Sequence, residues 1–181
     1  DFGERLKAEG RRWCEVGNDE CHRICQDILA KLAPRLQNEI LLSTAQYKNL
    51  LARIEATAES SIQRLIAFDQ VSAFHPVAFE RSFGAGPEAM PPLVYSLSGD
   101  FTLEIIGQID RIDLNEEGKY FMIFDYKTGN AYINLIEVYY GLRIQLLTYL
   151  LVARNLLART QERPALPAGM LYCFLKNPIY R

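Results

Sequence analysis

The sequence predicts a mixed α/β fold: a central mixed sheet flanked by helices, with a helical N-terminal portion ahead of it. Three observations carry that expectation. Apolar residues recur every three or four positions through the first seventy residues. At residue 71 the period drops to two, and strand-like runs separated by turn residues follow. A long stretch of helical period then comes after the strands and before one more apolar run, an order that layers helices against a sheet. The expected organisation is a helical portion over 1–70 and a core over 71–181, together one compact domain.

Taken in order, Ile24, Ile28, Leu32, Leu36 and Ile40 recur at intervals of four, and Pro34 should kink or split that helix. Leu50, Leu51, Ile54, Ala58, Ile62, Leu65 and Ile66 form a second stripe, opposite a charged face, so this helix should pack one side on a core. Val77, Phe79, Arg81 and Phe83 alternate with Ala78, Glu80 and Ser82, as in a strand. Gly84 to Pro87 and Pro91-Pro92 mark a loop. Leu93–Leu97, Ser98-Gly99-Asp100 and Phe101–Leu114 read as a hairpin, with Gly107 marking a bulge or a close backbone approach. Asn115 to Gly118 turns the chain into a strand over Tyr120–Lys127. Leu135, Val138, Tyr139, Leu142, Leu146, Tyr149, Leu150 and Ala153 predict one long helix to about Arg159. Pro164 to Gly169 should connect it to a buried final strand, Met170–Leu175.

Composition narrows the function classes. A chain of 181 residues that is 49% hydrophobic can bury a core of its own. Twenty basic against 22 acidic residues leave a formal charge of -2, so any contact with nucleic acid needs locally concentrated positive charge or charge from elsewhere. No run of about 18 apolar residues offers a membrane span, and Asp1-Phe2-Gly3-Glu4-Arg5 lacks the order of a signal peptide. Cys14, Cys21, Cys25 and Cys173 do not form a secreted disulfide framework, which favours the cytoplasm; they read as buried or idle thiols. Both ends read as cut from something longer.

The chemistry concentrates in two neighbouring strands. Gly107-Gln108-Ile109-Asp110-Arg111-Ile112-Asp113 is followed, after a short turn, by Phe124-Asp125-Tyr126-Lys127-Thr128-Gly129. Residues two apart on a strand share a face, so Asp125 and Lys127 project together, and the tight turn brings Asp110 beside them. The main-chain carbonyl of Tyr126 lies between them. Two carboxylates and an ammonium at one sheet end suit phosphodiester hydrolysis: Mg²⁺ takes hard oxygen ligands, and a lysine orients or deprotonates the attacking water and neutralises charge in the transition state. Asp113 falls on the opposite strand face near the turn, where a capping or surface role is expected. Arg111 should point away from the site. Gln145 and Tyr149, four apart on one helix face, can hold a phosphate or a strand end.

The ordered set Gly107-x-Ile-Asp110-Arg-Ile-Asp, Asp125-Tyr-Lys127-Thr-Gly and Gln145-x-x-x-Tyr149 resembles the RecB-family nucleases of the PD-(D/E)xK superfamily, whose core is restriction-endonuclease-like. Within them it is most similar to the AddB-type nuclease domain of AddAB helicase–nucleases. Glu137 to Tyr149 and Pro76-Val77-x-x-Glu80-x-x-Phe83-Gly84 add to the likeness, which is good over roughly 74–155 and loose over the first seventy residues. The resemblance implies Asp110 and Asp125 as ligands of Mg²⁺ (or Mn²⁺), the Tyr126 carbonyl as a third, and Lys127 as the catalytic lysine. Glu80 matches the family's acidic residue on the first core strand, and Gln145 and Tyr149 match its DNA-binding motif.

It further implies a DNA exonuclease acting on a single strand from a processed double-strand end, with an AddA-like helicase–nuclease subunit as partner, in double-strand break repair and recombination. Two features depart from the family. Its upstream metal-binding histidine matches neither His22 nor His75 and is expected before residue 1. Its iron–sulfur cysteines match none of the four here, so a cluster is expected only in an intact longer protein. The alternatives are a catalytically inactive DNA-end-binding or subunit-docking module, and a Cas4-like nuclease.

Overall fold

The switch from helix to strand falls at Ser72–Phe74 in the computed structural model, which describes residues 2–35, 44–160 and 164–175. The described residues form two compact units, one up to Ser72 together with residues from Phe174 on, the other Ala73–Cys173.

The first unit is helical. It contains α1 (Phe2–Ala8), a short 3-10 turn (Trp13–Glu15), α2 (Asn18–Leu32), a second 3-10 turn (Ala33–Arg35) and α3 (Ala45–Val71). The 3-10 turn at Pro34 ends α2 as expected, while Leu36 and Ile40 lie outside the described residues. The Thr44 hydroxyl accepts the Tyr47 N–H at 3.3 Å and so caps α3. The predicted apolar stripe of α3 is only half used. Ser61, Leu65, Ile66 and Asp69 are buried, whereas Leu50 and Ile54 are exposed. The reason is supply of partners: the Trp13 turn and the start of α2 cover the C-terminal half, where Asp69 accepts the Cys14 N–H at 2.9 Å and His22 meets Glu59. Cys21 and Cys25 are buried core thiols, and burial pushes Cys25 up to about 12.

The second unit holds a four-stranded sheet in the order β1-β4-β5-β6, built from β1 (Phe74–Phe83), β4 (Gly107–Asn115), β5 (Tyr120–Lys127) and β6 (Leu166–Phe174). β4 pairs antiparallel with both β1 and β5. β6 runs in the direction of β5, since Leu166 N–H donates to the Lys119 carbonyl at their starts and Tyr172 lies beside Lys127 near their ends. The sheet is therefore mixed. A separate hairpin joins β2 (Leu93–Ser96) to β3 (Thr102–Ile105).

Three expectations change here. The long middle strand divides between β3 and β4, which belong to different sheets, and Gly107 sits at the division. A Cβ on Gly107 would stand 2.9 Å from the Phe83 ring, so the glycine marks the close approach that lets the chain enter the main sheet. The single long helix is in fact α4 (Leu135–Tyr139) and α5 (Gln145–Thr160). Gly141, at φ 75°, ends α4: its N–H donates to the Val138 carbonyl and the Leu142 N–H to the Glu137 carbonyl, the paired pattern of a left-handed glycine cap. Finally, β6 starts at Leu166 rather than Met170, and its residues are half-buried or exposed.

Direct pairing of Ile112 with Ile123 fixes the faces. Asp110 and Ile112 share a face with Phe121, Ile123, Asp125 and Lys127. Val152, Ala153 and Leu157 of α5 pack into the same core as Ile112, Phe121 and Ile123. Arg111, Asp113, Phe124 and Tyr126 occupy the reverse face.

Candidate active site

Register builds this site. Phe79 pairs with Arg111 and Arg81 with Ile109, which sets Glu80 opposite Asp110. Arg111 pairs with Phe124, and the next position along sets Asp110 opposite Asp125. Three carboxyl side chains thus fall in one row across β1, β4 and β5, at the sheet end remote from the Asn115–Gly118 turn. Lys127 follows two residues after Asp125 on the same face.

The hydrogen bonds are specific. Tyr126 N–H donates to Asp110 Oδ2 at 2.7 Å. Lys127 Nζ lies 2.5 Å from Asp125 Oδ2 and donates to Gln145 Oε1 at 3.1 Å. Gln145 Nε2 in turn donates to the Tyr149 hydroxyl at 2.9 Å. Asp125 is 2% exposed, and its contact with Lys127 is an ion pair outside hydrogen-bond alignment, so no hydrogen bond among the described residues reaches its Oδ2. A buried, ionisable oxygen in that state suits a cation ligand.

Burial pushes the Asp110 carboxyl up, with Asp125 adding to the rise and the Tyr126 N–H opposing it. Glu80 is raised by burial first and by Asp110 second. For Lys127, burial opposes the charge, but the Asp125 carboxylate outweighs it and raises the ammonium. Lys127 therefore carries its proton at neutral pH. A carboxyl raised by burial and by a neighbouring carboxylate gains from a bound cation.

Glu80 also has the only positive φ, 45°, of any non-glycine among the described residues. An L-residue there stores roughly 1–3 kcal/mol of backbone strain. Its carbonyl accepts Gln108 Nε2 at 3.3 Å.

Among the described residues no group of three or more His, Cys, Asp or Glu side chains converges to hold a metal. The donors present are instead the carboxylates of Asp110 and Asp125 with main-chain oxygen, a hard-oxygen set that fits Mg²⁺, which often takes only one or two protein carboxylates and fills its remaining positions with waters of its own.

Beside Lys127 opens a cavity of about 560 Å³. Phe83, Ile105, Ile106, Leu142 and Ile144 form its apolar lining, and Asn130, Arg143, Gln145 and Tyr149 add polar groups. Tyr172 of β6 lines it too, with Lys127 Nζ 5.6 Å from the ring centroid. Arg143 pairs with Glu137 and stacks on Tyr132 at 4.3 Å.

The structure thus brings Asp110, Asp125, Tyr126, Lys127, Gln145 and Tyr149 into one connected network, with Glu80 at its edge. It corrects the expectation for Asp113, which is neither a cap nor a surface residue. Its carboxylate takes both Nε and Nη2 of Arg111, at 2.6 and 2.7 Å, and both side chains are 0% exposed. Arg111 does point away from the site, into this buried pair and over the Phe124 ring. Burial pushes the Tyr126 hydroxyl up to about 12 despite Arg111 nearby. Tyr139 and Tyr140 are both highly exposed. His75 lies at the start of β1, with Nε2 3.6 Å from Glu116. Sequence reasoning missed Tyr172, Arg143 and Asn130. No spacing ties Tyr172 or Arg143 to Lys127, because only the parallel placement of β6 and the glycine-capped break before α5 bring them there, whereas Asn130 follows Lys127 by three positions and carries no signal of its own.

The family model of the PD-(D/E)XK nuclease superfamily matches residues 4–181, helical portion included. Relatives named as subunits of an ATP-dependent helicase/deoxyribonuclease include one from Desulforamulus reducens, 38% identical over 98% of this chain. Those from Geobacillus thermodenitrificans and Desulforudis audaxviator are 34% and 35% identical over 98% and 99% of it. The chain spans only 15–16% of the length of these relatives.

Proposed function

The chain belongs to the PD-(D/E)XK nuclease superfamily, and from that membership we propose that it hydrolyses DNA phosphodiester bonds with a divalent metal, Mg²⁺ or Mn²⁺. In this reading it is the nuclease domain of an AddB-type helicase/deoxyribonuclease subunit, consistent with the names of its relatives. It works as an exonuclease on a single strand released from a double-strand end, with an AddA-like subunit, in cytoplasmic break repair and recombination. The chemistry belongs to residues 71–181, and 1–70 are its helical N-terminal portion. Among the described residues no helix is long and apolar enough to cross a membrane.

The observation that most supports this reading is Lys127 Nζ, held between the buried Asp125 carboxylate and the Gln145 amide at the mouth of a cavity. Asp110 and Asp125 would hold the metal, with the Tyr126 carbonyl as a third donor. When bound, the metal supplies an acidified water and a polarised phosphoryl oxygen. Asp110 is held in place by the Tyr126 N–H, so the strand that carries Asp125 and Lys127 also orients the second carboxylate. Lys127, protonated by its surroundings, orients the attacking water and neutralises negative charge on the phosphoryl group in the transition state. Gln145 sets the ammonium's direction and Tyr149 sets Gln145, with both facing the DNA. Glu80 supports the row of carboxyls.

The test is cleavage of end-labelled linear DNA by the full-length protein with its partner subunit, with Mg²⁺ and with EDTA. Asp125→Ala and Lys127→Ala should each lose about a hundredfold or more in rate, the scale of removing one transition-state donor, and keep their folded state. EDTA should abolish the same products. Unchanged cleavage by Asp125→Ala in Mg²⁺ would move the chemistry elsewhere and leave a DNA-end-binding module.

A further inference from the structure

The cavity beside Lys127 has a composition that the hydrolytic network does not use. Of the groups that phosphate chemistry needs, only the Lys127 ammonium, the Gln145 amide and the Tyr149 hydroxyl line the cavity. Most of the remaining lining is apolar or aromatic, Ile105, Ile106, Leu142, Ile144 and Tyr172 among it, with Asn130, Arg143 and Thr148 as its polar members. Leu142 is 74% exposed and lines the cavity, so its side chain is open to a substrate. It stands there because Gly141 turns the chain out of α4 in the left-handed conformation and directs 142–144 along the cavity toward Gln145. Arg143 is tied to Glu137 and stacked on Tyr132, so the rim has a defined shape.

We infer that this cavity is the subsite for one unpaired nucleobase, the base of the nucleotide next to the scissile phosphate. The inference rests on the nuclease reading above and deepens it. A phosphate held at Lys127 and Gln145 leaves its own base as the nearest apolar group of the substrate, and the apolar wall begins directly beside those two residues. A volume of about 560 Å³ is in the range of pockets that enclose small ligands. A base inside a duplex enters such a recess only after unpairing and unstacking, whereas an unpaired base enters without that cost, so the subsite favours single-stranded DNA. The lining is mostly aliphatic and aromatic, which favours stacking over reading of base edges and makes the subsite tolerant of sequence.

The test uses the full-length protein with Mg²⁺ and a single-stranded oligonucleotide whose cut position has been mapped. One substrate carries an abasic site at the nucleotide beside the cut. The variant is Leu142→Ser with Ile144→Ser, two exposed positions outside the hydrolytic network. Loss of one stacked base should raise KM about tenfold in the wild type on the abasic substrate, with kcat within about twofold. The variant should show the same rise on the natural substrate and no further rise on the abasic one. An unchanged KM for the wild type on abasic DNA overturns the subsite without any variant being made. Multiplying effects of variant and abasic site also overturn it, because the two would then act independently. A variant that keeps its KM but separates from its partner subunit reassigns this face to protein docking. If the wild type cuts neither substrate, it is the nuclease reading that fails.

Discussion

Removing one member of the Arg111–Asp113 pair should cost the second unit far more than removing both. Each side chain is 0% exposed, and the two are joined by a fork of two hydrogen bonds at 2.6 and 2.7 Å. In Asp113→Leu the guanidinium loses the carboxylate that holds its pKa up against burial, yet it keeps its charge, because a guanidinium does not deprotonate at accessible pH. Removing the opposite charge from a buried pair of this kind costs about 3–5 kcal/mol. For a cooperative unit of about 100 residues, where 1 kcal/mol moves Tm by roughly 4–8 °C, the fall should exceed about 12 °C. Arg111→Met with Asp113→Leu removes both charges and fills similar volume. It should lie within about 1 kcal/mol of the wild type, so the coupling between the sites should be about 3 kcal/mol or more. Urea unfolding of the four proteins of this cycle measures it. If Asp113→Leu costs under about 1 kcal/mol, or the double variant is no better than the single, water reaches the pair and the argument fails.

The remaining predictions concern backbone and charge. Glu80→Gly should stabilise the fold by about 1 kcal/mol, as relief of the strain at φ 45° exceeds the entropy added to the unfolded chain; calorimetry reads it, and a loss of stability would mean the conformation is unstrained. Gly141→Ala should destabilise by about 1 kcal/mol, because the cap needs φ 75°, and urea unfolding would detect it. His22 is held above the ordinary imidazole pKa, first by its hydrogen bond to Glu59. Stabilisation from a raised histidine is complete below the unfolded pKa and lost as pH rises through the folded one. Thermal stability of the helical unit should therefore decline from about pH 6.5 upward, and His22→Gln should flatten that decline.

The sequence alone was enough to order Asp110, Asp125, Lys127, Gln145 and Tyr149 along two strands and a helix, because strand and helix periods are local properties of the backbone. The same local logic found the sheet run, the Asn115–Gly118 turn and the special place of Gly107. It failed where an element's end or neighbour depended on distant residues. Continuous apolar periodicity concealed the break at Gly141, although a glycine there is itself a stop signal. The stripe on α3 marked a face without saying how much of it a partner would cover. Asp113 looked like a surface residue because nothing in a sequence tells that Arg111, two positions away, will share a fully buried face with it. Tertiary structure alone decided the rest: β6 laid parallel to β5 brings Tyr172 to Lys127, and the glycine cap swings 142–144 into the cavity wall. Side-chain type and spacing are written in the chain, whereas burial and the meeting of remote segments are set by packing, where many weak contacts act together.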